Sequence, residues 1–184
     1  MNWLRVTPDG IARLGGDSFP CALGRGGIRA DKHEGDGATP VGRFALRRAF
    51  YRPDRIARPA TRLPLHPILP VHGWSDAPES ACYNRQIRLP ARRPHRQANQ
   101  LPAGHPARFS HERLHRPDAL YDMVITIGHN DRPTRPGRGS AVFIHVARPD
   151  FAPTEGCVAF PPEIMAEILA RMGPGDGIEI SARA

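Results

Sequence analysis

Two residues near the C-terminal end of this sequence, His145 and Cys157, have side chains suited to acyl transfer. His145 lies in an apolar run, residues 141–146, whose β-branched and aromatic side chains favour a strand. Cys157 follows a turn-rich loop and comes directly after Gly156. A thiol becomes a nucleophile when a base takes its proton, and a preceding glycine lets a substrate carbonyl approach the main chain. The sequence therefore predicts Cys157 as nucleophile and His145 as general base and acid. It also predicts the backbone N–H groups of Gly156 and Cys157 as oxyanion donors.

Cysteine and histidine also occur in proteins without a catalytic role. In that alternative, Cys157 is a small core residue and His145 is a strand histidine whose hydrogen bonds are satisfied. A short motif by itself does not separate the two interpretations.

The pattern H-E-x-x-H at residues 111–115 is that of zinc peptidases, in which both histidines bind the metal from one helix face and the glutamate acts as base. Pro106 and Pro117 leave room for only a short helix there. We therefore expect no metal site, and a zinc metallopeptidase acting through His111 and His115 stays open as an alternative function.

The net charge of +8 comes almost wholly from arginine, and many arginines lie in a basic, Pro-rich segment, residues 85–117. A basic surface attracts anions of many kinds, including nucleic acid and acidic peptides. We interpret this segment as a surface excursion that caps a cleft. A nucleic-acid-binding module is a further alternative, but Phe109 is the lone aromatic residue there that could stack on a base, so we expect no nucleic-acid partner.

The distribution of strand and turn signals predicts a mainly antiparallel β protein with one or two helices. A chain of 184 residues suits one domain, residues 1–184, with its core at about 20–181, and 21 prolines with 18 glycines argue against a helical bundle. An apolar stripe at residues 164–172 predicts a helix that ends at Gly173. The clearest predicted strands are those of an opening hairpin, at residues 2–6 and 11–14. A further strand, alternating and half-buried, is predicted at residues 121–127.

The residues around His145 and Cys157 resemble the catalytic motif of the L,D-transpeptidase (YkuD-type) catalytic domain family, in which a histidine precedes (S/T)-x-G-C. A second block, Lys32 to Phe44, contains Glu34-Gly35-Asp36 and Thr39-Pro40 and resembles an upstream segment of the same family. The likeness covers about residues 21–180. Shorter blocks that resemble one bacterial branch of the family lie at residues 83–84, 120–122 and 128–130.

This resemblance implies a flattened β-barrel or sandwich with the cysteine loop at one end of a groove. It implies a peptidoglycan L,D-transpeptidase that forms a cysteine acyl-enzyme on stem tetrapeptides, releases D-alanine and makes a cross-link, without a cofactor. An L,D-carboxypeptidase with the same Cys/His site is the alternative. The candidate substrate-binding residues are Arg148, Tyr83, Asn84, Thr154 and Glu155. Residues 32–44 are expected to act as scaffold beside the site.

The chain departs from the family pattern next to the thiol, where Glu155 stands in place of a histidine. A carboxylate there disfavours the thiolate unless it is turned away or paired. Ala159 stands where many members carry an arginine or asparagine that grips substrate. After the base histidine, Val146 offers only its backbone carbonyl to orient the imidazole.

The resemblance also implies work on peptidoglycan stem peptides in the periplasm or cell envelope. No signal-peptide pattern follows Met1, and no apolar run approaches the length of a membrane span. If Cys157 is the free nucleophile, Cys21 and Cys82 either pair as a disulfide or stay reduced.

Overall fold

Short strands joined by Gly- and Pro-rich turns build most of the molecule, as seen in a computed structural model that describes residues 1–90, 101–102 and 104–183. The helical elements are α1 (Pro162–Arg171) and a short 3-10 helix (Pro106–Arg108). The strands are β1 (Trp3–Thr7), β2 (Ile11–Leu14), β3 (Asp17–Pro20), β4 (Ile28–Arg29), β5 (Thr39–Pro40), β6 (Gly42–Tyr51), β7 (Leu65–Pro67), β8 (His72–Ser75), β9 (Gln86–Arg88), β10 (His111–Arg113), β11 (Met123–Ile127), β12 (Phe143–Val146), β13 (Val158–Phe160) and β14 (Gly177–Ile180).

The main sheet has the order β13-β12-β11-β6-β14-β1-β2-β3, with β7 added beside β6. Its two ends meet, because Ala22, just beyond β3, exchanges two backbone hydrogen bonds with Ala159 in β13, at 2.8 and 2.9 Å. The sheet is therefore almost closed into a barrel, and the prediction of a mainly β, barrel-like fold is confirmed.

Most strand pairs are antiparallel, as predicted, but some neighbouring strands in the main sheet run parallel. Strand β1 pairs with β14, β6 with β7 and β12 with β13 in parallel. Parallel neighbours cannot be joined by a tight hairpin. Between β12 and β13 the chain instead returns through the loop at residues 147–157, and this loop carries the cysteine.

A second sheet, β10-β8-β9, packs against one face of the main sheet. Consequently β11 is covered on both sides: Ile125 and Ile127 face the barrel core, while Val124 contacts Phe143, Trp74 and their neighbours in a separate apolar cluster. All five residues of β11 are buried, so the prediction of a half-buried strand was wrong. The small sheet buries the face of β11 that the alternation pattern predicted to be exposed.

Helix α1 fills part of the barrel core. It begins at Pro162, directly after the N-cap residue Pro161, where a missing N–H costs little, and ends before Gly173, as the stripe predicted. Met165, Ile168 and Leu169 are fully buried in the core. The opening hairpin is confirmed as β1 and β2.

The excursion at residues 85–117 includes β9, the 3-10 helix and β10; its part at residues 91–100 lies outside the described residues. Cys21, Cys82 and Cys157 are all free thiols. In the described part of the chain, no helix has the length and apolar character of a membrane span.

Candidate active site

The parallel pair β12/β13 places His145 and Cys157 on one face of the sheet. His145 is opposite Ala159 in the register, so Cys157, two residues earlier, lies opposite Phe143. Side chains two residues apart on a strand point to the same face, which makes His145 and Cys157 diagonal neighbours. Both line a cavity of about 490 Å³.

The Cys157 thiol is held by the main chain of the segment before β12. The N–H of Phe143 donates to Sγ at 3.3 Å, and Sγ donates to the carbonyl of Ala141 at 3.2 Å. Burial, followed by the negative charge of Glu112, raises the pKa of Cys157 to about 12. Cys157 therefore rests as a neutral thiol.

The hydrogen-bond partner of the His145 imidazole determines which ring nitrogen carries the proton. Nδ1 lies 2.8 Å from the carbonyl oxygen of Val146, which can only accept, so Nδ1 carries the proton and Nε2 is free to accept one. Burial lowers the pKa of His145 to about 4. The edge-on ring of Tyr121, with its centroid 5.4 Å away, fixes the imidazole plane. The carbonyl of Val146 is thus the orienting group in this chain.

The cysteine loop is closed by Thr154 and Gly156. Thr154 Oγ1 accepts from the N–H of Gly156 at 3.1 Å and donates to the carbonyl of Cys157 at 2.7 Å. Gly156 has φ +128°, and a Cβ there would lie 2.7 Å from the carbonyl oxygen of Ala38. Only glycine suits this position. The N–H of Gly156 is engaged within the loop in this state.

The upstream block at residues 32–44 packs under this loop. Thr39 Oγ1 accepts from the N–H of Gly24 at 2.9 Å and lies 3.5 Å from the carbonyl oxygen of Cys157. Asp36 pairs with buried Lys32 and accepts from the N–H of Ala38 at 2.8 Å. These contacts connect the block to the loop that carries the nucleophile.

Glu155 is turned away from the thiol. Its side chain is 78% exposed and forms an ion pair with Arg25 at 2.8 Å. Arg148, Thr154 and Glu155 all line the cavity, and Ala159 forms a small part of its wall.

Tyr83 and Asn84 lie elsewhere. Both are buried, and neither is among the described residues that line this cavity. The Tyr83 hydroxyl donates to Glu34. Asn84 Oδ1 accepts from Trp74 Nε1 at 3.0 Å and from the N–H of Ala141 at 3.1 Å. Asn84 therefore holds the backbone segment whose Ala141 carbonyl accepts from the thiol.

Glu112 is the site residue that sequence reasoning missed as such. It lies on β10, lines the cavity, and accepts from the Tyr121 hydroxyl at 2.7 Å and from Arg116 at 3.5 Å. Its signal was present in the H-E-x-x-H pattern, where it was considered only as the base of a zinc site.

That pattern does not form the helix that a zinc peptidase requires. Residues 111–113 are strand β10. His111 Nδ1 lies 2.8 Å from the carbonyl oxygen of Phe109, and His115 Nε2 lies 3.6 Å from Asp54. Within the described ranges, no three His, Cys, Asp or Glu side chains come together as a metal site would need.

Comparisons with known proteins identify the family. A search of curated proteins found no match. A crystal structure of Mycobacterium tuberculosis L,D-transpeptidase 1 is similar at 13% identity and a TM-score of 0.38, over 97% of this chain and 60% of that one. This chain thus spans less than two thirds of that protein. A model described as YkuD, L,D-transpeptidase catalytic domain, matches residues 13–180, and the chain therefore belongs to the YkuD family of L,D-transpeptidase catalytic domains.

Proposed function

We propose that this protein is a cysteine acyltransferase that cross-links peptidoglycan stem tetrapeptides and releases D-alanine. The observation that carries the proposal is the arrangement of His145 and Cys157 on one face of β12/β13, at the wall of one cavity. Family membership supports the substrate class, and with it a place of action in the cell envelope.

The first half-reaction starts from two neutral groups. A thiolate–imidazolium pair is disfavoured at rest, because burial raises the pKa of Cys157 to about 12 and lowers that of His145 to about 4. Proton transfer from Sγ to Nε2 therefore accompanies attack on the substrate carbonyl instead of preceding it. As the Sγ–C bond forms, negative charge develops on the carbonyl oxygen.

The N–H groups of Gly156 and Cys157 are the proposed donors to this oxyanion. For Gly156 this requires exchanging its bond to Thr154 Oγ1 for one to the substrate oxygen. Collapse of the intermediate breaks the C–N bond to D-alanine, whose amine takes the proton from His145. A thioester on Cys157 remains.

In the second half-reaction the amine of a neighbouring stem peptide attacks the thioester and gives its proton to His145 Nε2. The C–S bond breaks, the thiolate takes this proton back, and the free thiol of Cys157 is restored. Water in place of the amine would give trimming instead of cross-linking.

Incubation with purified peptidoglycan, followed by digestion and mass analysis, tests the reaction. New dimeric muropeptides are expected with the native protein and not with Cys157→Ala. Loss of alanine without dimers would identify the L,D-carboxypeptidase instead, and no change in either product would reject the proposed function.

A carbapenem offers a test of the nucleophile alone, because its lactam carbonyl acylates an accessible thiol. Intact-mass analysis should show one adduct that is absent from Cys157→Ala. Full labelling of that variant would place the acylation elsewhere and remove Cys157 from its role.

A further inference from the structure

A second groove, separate from the catalytic cavity, lies where the small sheet meets the main sheet. Its volume is about 740 Å³. Its described walls come from β6, β7, β9, β11 and the turn at residues 129–134, and none of them lines the catalytic cavity. Residues 140–143 run between the two: Ser140 and Ala141 face the catalytic cavity, while Val142 and Phe143 face the groove.

The groove carries cations that have no counter-charge. Among its described lining residues, Asp131 is the sole carboxylate, and it is bound by Arg47 at 2.8 Å. Arg48, Arg85 and Arg132 are exposed and form no ion pair with any carboxylate of the described chain. Residues 91–100 contain no aspartate or glutamate. Like charges around one concave surface repel one another unless an anion occupies it.

A buried aromatic cluster lies beneath the groove. Trp74 and Phe143 meet edge to face with ring centroids 5.0 Å apart. Arg48 is held over the ring of Phe50, at 5.6 Å from its centroid, so its guanidinium is partly positioned in advance. Planar guanidinium groups match carboxylates in a bidentate manner.

We propose that this groove binds an acidic peptide. The unpaired arginines lie on β6, in the loop just before β9 and in the turn at residues 129–134, around a groove of about 740 Å³. Such spacing suits carboxylates distributed along a chain better than one compact phosphate, which needs convergent donors. The proposal concerns binding alone and stands apart from the acyl-transfer reaction.

The groove also touches the groups that hold the nucleophile. Phe143, buried beneath the groove, donates its N–H to Cys157 Sγ, and Asn84 accepts from the N–H of Ala141. The groove therefore lies next to the backbone segment that holds the thiol.

Tryptophan fluorescence offers a direct test, because the chain has only two tryptophans and one lies in the groove. In a Trp3→Phe, Cys157→Ala protein, Trp74 is the reporter and acyl transfer is absent. The probe is a triglutamate peptide with blocked ends. We expect a saturable change in fluorescence, and an affinity at least about tenfold lower in Arg48→Gln/Arg85→Gln.

The matched control is Arg13→Gln/Arg183→Gln, which removes the same charge from exposed positions outside the groove. Retained affinity in this control supports a specific groove. Equal loss in both double variants, or no saturation with the peptide, overturns the proposal. Tighter binding of inorganic tripolyphosphate than of the peptide would overturn it in favour of a compact anion. Because cross-linking is not measured, failure here leaves the proposed function to its own test.

Discussion

The Tyr121 hydroxyl donates a 2.7 Å hydrogen bond to the Glu112 carboxylate, and this bond joins strand β10 to the wall of the catalytic cavity. The ring of the same tyrosine packs edge-on against His145. Burial and the charge of Glu112 raise the pKa of Tyr121 well above its usual value, so Tyr121 stays a donor. The Glu112 carboxylate thereby orients the tyrosine ring that packs against His145, and its charge acts on the thiol of Cys157.

Replacing Glu112 should make Cys157 more reactive toward a simple alkylating agent. The negative charge of Glu112 raises the pKa of Cys157, so Glu112→Gln lowers that pKa and increases the thiolate fraction. Each unit of pKa corresponds to about a tenfold change in thiolate, and we expect iodoacetamide labelling around pH 8.5 to accelerate by up to about that factor.

Glu155→Gln is the matched control for that measurement. Glu155 lies two residues before Cys157 in the sequence, but its side chain is exposed and paired with Arg25. Its loss should therefore leave the labelling rate of Cys157 unchanged. Faster labelling in Glu155→Gln than in Glu112→Gln would show that the nearer residue in sequence, not Glu112, sets the thiol pKa.

Loss of the imidazole should slow acylation without unfolding the protein. His145→Ala is expected to form the carbapenem adduct about 10²–10⁴-fold more slowly, as is typical for removal of a general base. Far-UV circular dichroism checks the fold. A near-native rate of adduct formation would show that another group takes the proton from Cys157.

The acid limb of the acylation rate should lie near pH 4. Acylation requires neutral His145, and burial lowers the pKa of this residue to about 4. The rate constant should thus stay nearly flat from neutral pH down to about pH 5 and fall below it. Stopped-flow acylation over this range measures the limb. A limb at the ordinary histidine value, about 6.5, would mean that the imidazole is solvated in the working enzyme.

Sequence reasoning predicted the helix, which is confirmed, and named Cys157 and His145 as candidate nucleophile and base, because local chemistry indicates each of them. His145 stands in an apolar run, Cys157 follows a glycine, and the stripe of α1 repeats at helical spacing. Even the orienting carbonyl of Val146 followed from the lack of any other polar atom on that residue.

Features that depend on distant pairing were not accessible in this way. Strand β11 is buried on both faces because β8, β9 and β10 form a separate sheet over it, which no pattern within residues 123–127 reveals. Glu112 reaches the thiol only because β10 pairs with β8, so its neighbours in sequence suggested a metal site instead. Tyr83 and Asn84 resembled site residues, yet both are buried and do not line the cavity; their polar atoms bond to Glu34 and Ala141, which do line it.

Stability should fall in acid because His145 is buried in its neutral form. The pKa of His145 is about 4 in the folded protein, below the unfolded value of 6.5. The contribution of neutral His145 to the free energy of unfolding is therefore complete above pH 6.5 and is lost as the pH falls toward 4. The full shift corresponds to about 3 kcal/mol. Urea unfolding gives the free energy of unfolding at neutral pH and at about pH 4.5. The difference between these two values should be smaller by roughly 2–3 kcal/mol in His145→Gln than in the native protein. The exposed His33, changed to Gln, is the control for the loss of an imidazole from the surface. An identical pH dependence in the native protein and His145→Gln would mean that His145 is not desolvated.

Gly156→Ala should disrupt the cysteine loop more than its small size suggests. The substitution combines a backbone at φ +128°, which costs about 1–3 kcal/mol for a residue with a Cβ, with a contact of 2.7 Å to the carbonyl oxygen of Ala38. That carbonyl belongs to the block beneath the loop, so relief of the contact must displace Gly156 and its neighbour Cys157. The matched control is Gly175→Ala, where φ is +90° but no atom lies within 4 Å of the added Cβ. Chemical unfolding should show a loss of stability in both variants, and carbapenem acylation should fall sharply only in Gly156→Ala. Unchanged acylation in Gly156→Ala would mean that the loop tolerates displacement and that its N–H groups are not held in place for an oxyanion.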